Sequence, residues 1–183
     1  HITAAADTRP HPPSLLPHPP RGSRYSGVTE ISNCDDVDVV WVATPSALHC
    51  EHVLRITNSG KHVICEKPIA VSISECDRMI ESAARAGVQL LIVSKKFDPP
   101  ITAMREIIAS GRLGRFIAIN SVVFTDWMQR PRLAEEFEAA RGGGVVFCQA
   151  PHLVDIARYL AGGMAQDVRA QTGQHDQRFA TEG

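Results

Sequence analysis

The pattern of apolar and polar positions is most regular between residues 38 and 93. Three apolar, mostly β-branched runs are typical of buried strands, and two stretches with apolar positions on one side are typical of helices. The predicted elements are strands over 39–44, 61–65 and 88–93 and helices over 46–59 and 74–86, the second capped by Ser74. This β-α-β-α-β order with short connections predicts an α/β fold with a doubly wound parallel sheet.

The first 24 residues do not follow this pattern. Residues 2–7 form a short apolar run that ends in an acid, as a strand at a ligand site would. Residues 9–24 hold half of the chain's 12 prolines, and no α-helix can run through prolines at that spacing. We expect an irregular, extended segment there; a proline-rich motif that binds another protein is the alternative.

The pattern changes again after residue 93. Further helices are predicted over 99–109 and 145–160, strands of a different sheet over 116–125 and 168–172, and a polar loop with a helical turn over 126–141. These elements no longer alternate as in the first half of the chain. The sequence therefore predicts a second structural region.

Composition and charge exclude several classes of protein. The 183 residues are 44% hydrophobic and 21% charged, which suffices for one domain or for one domain and part of a second. A net charge of −1 argues against electrostatic binding of nucleic acid. No apolar run approaches the ~20 residues that span a membrane, and the amino terminus lacks a signal-peptide pattern.

Cysteine and histidine spacing argues against a disulfide framework and a metal site. The five cysteines are dispersed and include no C-x-x-C pair, which is typical of the reducing cytoplasm that we predict for this chain. None of the eight histidines pairs with another histidine or a cysteine at zinc-finger spacing. We therefore predict no metal.

Glu66, Lys67 and Pro68 directly follow the second predicted strand of the regular region. Proline resists a central ladder and ends the strand, and open α/β sheets bind ligands beyond the carboxyl ends of their strands. A lysine there can donate protons or orient a hydroxyl group. The alternative is a surface Glu–Lys pair of small energetic weight.

Thr44, Pro45 and His49 lie at the carboxyl end of the preceding strand and just after it, and they are expected in the same crevice as Lys67. Turn and helix-start chemistry alone would explain Thr44 and Pro45.

A second candidate site lies on the helix predicted over 145–160. Cys148, His152 and Asp155 share one helix face, and Gly142–Gly144 just before them allow close approach of a backbone or a ligand. A histidine with an aspartate three residues on can shuttle protons. The alternative is a helix packed on a sheet, with His152 a satisfied core or boundary residue and Cys148 a small buried side chain.

Four segments taken together resemble the glucose–fructose oxidoreductase / inositol dehydrogenase / MocA (Gfo/Idh/MocA) family of nicotinamide-dependent dehydrogenases. Ala-Thr-Pro, then Glu-Lys-Pro after a strand, then Gly-Gly-Gly with His-x-x-Asp form a specific set in that order. The segments are DVVWVATPSALHCEHV (38–53), GKHVICEKPIAVS (60–72), ASGRLGRF (109–116) and GGGVVFCQAPHLVDIARYLAGG (142–163).

The resemblance implies a partial Rossmann domain over 1–93 and the start of an α+β substrate and oligomerisation domain over 94–183. It implies NAD or NADP as cofactor, a hydroxyl-bearing small substrate such as a cyclic dihydrodiol, polyol or sugar, and a homo-oligomer for the full-length family form. Within the family, FDPP (97–100) and the surroundings of Trp127 and Arg130 look most like the phthalate cis-dihydrodiol dehydrogenase branch, which re-aromatises a dihydrodiol to a catechol.

Catalytic roles also follow from the resemblance. Lys67 would lie beside the nicotinamide and the substrate, His152 would take the proton of the reacting hydroxyl as hydride leaves its carbon, and Asp155 would help to hold the substrate. The residues implied to line the dinucleotide are Ala43, Thr44, Pro45, His49, Glu66, Lys67 and Pro68.

Residues 2–7 look like the second Rossmann strand, whose terminal acid contacts the adenosine ribose. Asp7 would then favour NAD, whereas Arg9 nearby leaves NADP open.

The sequence also departs from the family pattern. It contains no G-x-G-x-x-G pyrophosphate loop, Cys148 stands where many members carry an aspartate, and the chain ends at Gly183, before most of the expected carboxyl-terminal sheet. The competing hypothesis is therefore a catalytically inactive truncated fragment that serves, if at all, as a non-enzymatic assembly or binding partner.

Overall fold

Three parallel strands form the main sheet of the computed structural model, which describes residues 4–6, 23–124, 131 and 134–173. The chain divides into two units, His1–Val93 and Ser94–Gly183. No helix within those described ranges is long and apolar enough to cross a membrane.

The first unit alternates strands and helices. Its elements are β1 (Ala4–Ala6), β2 (Ser23–Tyr25), α1 (Val28–Ser32), β3 (Val39–Val42), α2 (Ser46–Asn58), β4 (His62–Cys65), α3 (Ile73–Ala86) and β5 (Leu90–Ile92). Strands β3, β4 and β5 pair in parallel in that order, with Ile64 opposite both Trp41 and Leu91. The predicted α/β fold with a Rossmann-like parallel sheet is confirmed.

Helix α2 packs against β3 and β4, and α3 packs against α2. Along β3, Val40 and Val42 are buried, whereas Val39 and Trp41 are exposed, Trp41 by 62%. The sequence predicted a buried strand, and only every second residue of it is buried. The side chains that form the core cluster are Ile31, Val37, Val40, Val42, Cys50, Val53, Ile56, Val63, Cys65, Ala70 and Met79.

The ends of α3 are set by local sequence. The Ser72 hydroxyl accepts a hydrogen bond from the Glu75 backbone N–H at 3.3 Å, and Gly87 ends the helix in the left-handed region. The predicted cap at Ser74 is wrong, because Ser74 already lies in the first turn, with its hydroxyl 3.1 Å from that of Ser72.

A separate sheet of two strands precedes this region. Strands β1 and β2 pair in parallel, with Ala5 opposite Arg24. The prediction of an irregular segment over 9–24 is therefore wrong for Ser23 and Arg24, because their backbone pairs with β1. Residues 9–22 lie outside the described part of the chain. The sequence pattern does not predict α1, because a helix of five residues is too short to show a helical repeat of apolar positions.

The second unit is built on two helices, α4 (Pro99–Ala109) and α5 (Val145–Ala161), which pack on each other. Both have the bounds predicted from sequence to within one residue. Helix α4 begins with two prolines, which is tolerated because the first N–H groups of a helix have no intrahelical partner. Short 3-10 helices cover Lys95–Phe97, Ala134–Phe137 and Ala139–Arg141.

The strands predicted over 116–125 and 168–172 are wrong for the described residues, since 116–124 and 168–172 lie in no strand. A strand requires a neighbour that pairs its backbone groups, and an alternating pattern does not supply one. Apolar side chains of both segments are exposed, including Phe124 and Val168.

The three glycines before α5 meet the chain's own backbone. A Cβ on Gly143 would lie 2.5 Å from the Glu136 carbonyl oxygen, and the Gly144 N–H donates to that oxygen at 2.9 Å. Gly142 and Gly144 have φ values of 79° and 98°, which favour glycine. The close approach that the sequence predicts is therefore made by a backbone segment, and it fixes the start of α5.

Candidate functional site

The site in the first unit is built from the loops that follow β3 and β4. The Glu66 backbone N–H donates to the Val42 carbonyl oxygen at 2.9 Å, directly after the paired residues Val42 and Cys65. The loop at Ala43–Pro45 therefore starts beside the loop at Glu66–Pro68. Ala43 and Pro45 are exposed, and the bond between Lys67 and Pro68 is cis.

His49, in the first turns of α2, joins these two loops. Its imidazole is only 1% exposed, with Nε2 at 2.8 Å from the Thr44 carbonyl oxygen and Nδ1 at 2.9 Å from the Pro68 carbonyl oxygen. Both ring nitrogens thus face main-chain acceptors within the protein. This placement favours a role in holding the loops over direct contact with a dinucleotide.

His52, one turn further along α2, contacts the same loop. Its Nδ1 lies 3.1 Å from the Thr44 hydroxyl. Burial lowers the pKa of His52 below 6.5, the Glu51 carboxylate opposes this effect, and the electrostatic influence of the neighbouring His49 and Arg55 side chains adds to it. The sequence pattern did not predict a contact between His52 and Thr44.

The Glu66–Lys67 pair is half-buried at the end of β4, and the Lys67 backbone N–H lies 3.4 Å from the Glu66 carboxylate. Burial, followed by the charge of Glu66, raises the pKa of the adjacent Cys65 thiol to about 12. Cys65 is therefore a protonated core residue, and the ionisable groups that can face a ligand at this strand end belong to Glu66 and Lys67.

In the second unit, Cys148, His152 and Asp155 lie on α5 and are all half-buried. The Asp155 carboxylate accepts a hydrogen bond from the Ser94 hydroxyl and forms an ion pair with Lys96 at 3.3 Å. The pair is partly exposed, so its energetic weight is modest, but the two donors fix the orientation of the carboxylate.

Ser94 and Lys96 are functional candidates that the sequence reasoning missed. They come just after the third predicted strand, as Thr44 and Lys67 lie at the carboxyl ends of the first and second strands. The sequence signal for both residues is their position at the carboxyl end of the third strand.

Two of the predicted cofactor-binding residues, Asp7 and Arg9, lie outside the described residues. Within the described ranges, no group of three or more His, Cys, Asp or Glu side chains could hold a metal ion. None of the five cysteines forms a disulfide.

A groove between α2 and α3 is separate from these strand ends. It is lined by side chains such as Cys50, Arg55 and Arg78 and contains none of the predicted site residues.

The strand-end loops fit one part of a bound dinucleotide. Exposed Ala43 and Pro45 leave room for a ligand, and half-buried Glu66 and Lys67 offer it charged groups. The sequence has no glycine-rich loop for the pyrophosphate. The residues present are therefore compatible with part of a dinucleotide, and a pyrophosphate loop is not among them.

Comparison with known families gives a match to each half of the chain. Residues 1–94 match the oxidoreductase family with an NAD-binding Rossmann fold, and residues 101–182 match the GFO/IDH/MocA C-terminal domain.

Two curated relatives are similar over most of the chain. A 1-carboxy-3-chloro-3,4-dihydroxycyclo hexa-1,5-diene dehydrogenase from Comamonas testosteroni is 42% identical over 165 residues, which are 90% of this chain and 42% of the relative. A 1,5-anhydro-D-fructose reductase from Ensifer adhaerens is 37% identical over 143 residues, which are 76% of this chain and 42% of the relative. The chain thus spans less than half the length of these relatives.

Among solved structures, a dehydrogenase from Bordetella bronchiseptica RB50 matches with a TM-score of 0.92 and 35% identity, over 100% of this chain and 48% of that one. The WlbA dehydrogenase from Bordetella pertussis, in complex with NADH and UDP-GlcNAcA, matches with a TM-score of 0.77 and 25% identity, over 98% of this chain and 56% of that one. These sequence and structural matches together show that the chain belongs to the Gfo/Idh/MocA family of oxidoreductases.

Proposed function

We propose that this chain forms part of an NAD(P)-dependent dehydrogenase and that the dinucleotide binds beyond the carboxyl ends of β3 and β4. The observation that carries the proposal is the adjacency of two loops, one with Thr44 and the other with Lys67, through the bond between Val42 and Glu66. Ligands of open α/β sheets bind in such crevices. The match of residues 1–94 to an NAD-binding Rossmann family supports a nicotinamide dinucleotide as the ligand.

Each candidate catalytic residue has a proposed task. A bound nicotinamide supplies the acceptor or donor of hydride. The Lys67 ammonium orients the substrate hydroxyl by donating a hydrogen bond to its oxygen, and His152 takes the hydroxyl proton. Asp155 helps to hold the substrate, and the hydrogen bond from Ser94 and the ion pair with Lys96 keep its carboxylate oriented.

The proposed substrate is a small molecule with a secondary hydroxyl, first of all a cyclic dihydrodiol. The support is the 42% identity to a relative that is named as a dehydrogenase of a dihydroxycyclohexadiene. A sugar-like or polyol substrate comes second, because a relative named as an anhydrofructose reductase is 37% identical. The choice between NAD and NADP depends on Asp7 and Arg9, which lie outside the described residues.

A second candidate function is that of a non-enzymatic binding or assembly partner. The printed sequence contains no G-x-G-x-x-G loop, which is the segment that holds the pyrophosphate in dinucleotide-binding Rossmann domains. A homo-oligomer and a cytoplasmic location are further proposals, the first drawn from the family resemblance and the second from five cysteines without a disulfide.

A turnover assay separates the two functions. The chain is mixed with NAD or NADP and a panel of cyclic cis-dihydrodiols and inositol-type polyols, and formation of the reduced nicotinamide is followed by absorbance. We expect a dihydrodiol to be oxidised, and Lys67→Met and His152→Gln to lower kcat by roughly 100-fold or more. Lys95→Met, at an exposed position before α4, is the matched control and should keep kcat. Absence of turnover by a folded chain would favour the second function, that of a non-enzymatic binding or assembly partner.

A further inference from the structure

We propose that His49 is a positioning residue, which sets the affinity for the dinucleotide by holding the loops after β3 and β4 at a fixed distance. The inference rests on the proposed function for its effect on binding, whereas its effect on the loops can be measured without any ligand. His49 acts through the Thr44 and Pro68 carbonyl groups and does not itself touch the cofactor.

The geometry of the ring carries this assignment. The two imidazole nitrogens lie 2.8 and 2.9 Å from the carbonyl oxygens of Thr44 and Pro68, residues that are 5 and 19 positions away in the sequence. One rigid ring therefore links two segments that the sheet pairs only up to Val42 and Glu66. Beyond that bond, the ladder no longer fixes the distance between the loops.

Burial makes the link strong. The His49 side chain is 1% exposed, so water does not replace the ring as a donor to these oxygens. A carbonyl oxygen only accepts and a neutral imidazole carries one N–H, so the neutral ring donates to one of the two oxygens at a time. Loss of the ring would leave the oxygen to which it donates without this donor, and the loop that carries this oxygen would have to move toward water to satisfy it.

The sequence neighbours of both acceptors are the residues proposed to meet the ligand. Thr44 lies between Ala43 and Pro45, and Pro68 directly follows Lys67. A shift of either loop would displace these contacts, and misplacement by about 1 Å is enough to weaken a preorganised site. His49 thereby couples the core of the first unit to the candidate site.

The variants separate positioning from simple core packing. His49→Phe keeps a ring of similar size but cannot donate to either carbonyl group, and His49→Gln restores one donor group. The matched control is Thr57→Val in the same helix, because Thr57 is equally buried and its hydroxyl bonds Ser82 at 2.7 Å, away from the loops. The control should lower the melting temperature without changing the strand ends.

The first readout needs no ligand. Hydrogen exchange of backbone amides is measured in the full chain and in the three variants. We expect faster exchange at Ala43, Thr44, Glu66 and Lys67 in His49→Phe, a smaller effect in His49→Gln, and none in Thr57→Val. In the unmodified chain, NMR should show a His49 ring N–H proton that exchanges with water more slowly than the ring N–H proton of exposed His62. Fast exchange of the His49 ring protons would overturn the inference even if His49→Phe does not fold.

The second readout is the Kd for NADH, followed by its fluorescence. We expect His49→Phe to weaken binding by roughly tenfold or more, which corresponds to the loss of about one buried hydrogen bond, and Thr57→Val to bind as the unmodified chain does. Equal Kd values for His49→Phe and the unmodified chain would overturn the inference. Absence of NADH binding by the unmodified chain would instead remove the proposed function, and the exchange experiment would then decide the role of His49.

Discussion

The backbone N–H of Glu66 donates to the Val42 carbonyl oxygen at 2.9 Å, and this bond is where the pairing of β3 with β4 ends. Both strands then turn into loops that carry polar and charged groups. The position of Lys67 next to the Thr44 loop therefore follows from the register of the sheet, which pairs Val42 with Cys65. Changes that preserve the sheet should leave this arrangement in place.

Lys61 should be a strong determinant of stability. Its side chain is buried, and Nζ donates to the carbonyl oxygens of Cys34 and Val37 at 2.6 and 2.7 Å, which anchors the segment before β3. Lys61→Met would leave both oxygens without this donor and should cost about 2–4 kcal/mol of unfolding free energy in denaturant titrations. The exposed control Lys95→Met should cost less than about 0.5 kcal/mol. Equal costs would refute the anchoring role.

Gly143 should not tolerate a side chain. A Cβ at that position would lie 2.5 Å from the Glu136 carbonyl oxygen and 2.8 Å from the Glu138 nitrogen, and backbone atoms cannot turn away as a side chain can. Gly143→Ala should lower the unfolding free energy by about 1–3 kcal/mol. Gly163→Ala is the control, because nothing lies within 4 Å of its Cβ position. A neutral Gly143→Ala in thermal unfolding would contradict the packing before α5.

The cap of α3 can be assigned by two substitutions. Ser72 accepts from the Glu75 N–H, so Ser72→Ala should lower the unfolding free energy by about 1 kcal/mol. Ser74 lies inside the first turn, and Ser74→Ala should have less than half that effect. Chemical denaturation of both variants gives the comparison, and a larger loss for Ser74→Ala would restore Ser74 as the cap.

Stability should depend on pH through His52. Its pKa is lowered in the folded state by burial, so the unfolded chain binds the proton more readily. The contribution is fully present above the unfolded pKa of about 6.5 and is lost as pH falls from there toward the folded pKa. Unfolding free energies measured between about pH 8 and pH 5.5 should therefore fall less steeply in His52→Gln than in the unmodified chain. Identical slopes would show that His52 is not the group responsible.

The parallel sheet could be predicted because each of its strands and helices is indicated by residues that are close together in the sequence. Apolar runs of β-branched residues end at Pro45 and Pro68, and the intervening helices have their own end signals, such as Gly87. Helices α4 and α5 were predicted with the same kind of signal, from Pro99 and from the glycines that flank α5.

The remaining features depend on partners that are distant in sequence. An alternating pattern over 116–124 could not reveal that no strand pairs with it in the described part of the chain. The link from His49 to Pro68 spans 19 positions, and the contact of Ser94 with Asp155 spans 61. Such contacts are fixed by the packing of whole elements, and periodicity does not report them.

We propose that a nicotinamide dinucleotide binds at the ends of β3 and β4. The most direct test is an NMR titration of the isotopically labelled chain with NAD and, separately, with NADP. We expect saturable shifts of the backbone amide signals of Ala43, Thr44, Glu66 and Lys67 with at least one of the two dinucleotides. A folded chain whose signals at these positions stay unchanged, or whose shifts saturate only elsewhere, would contradict it.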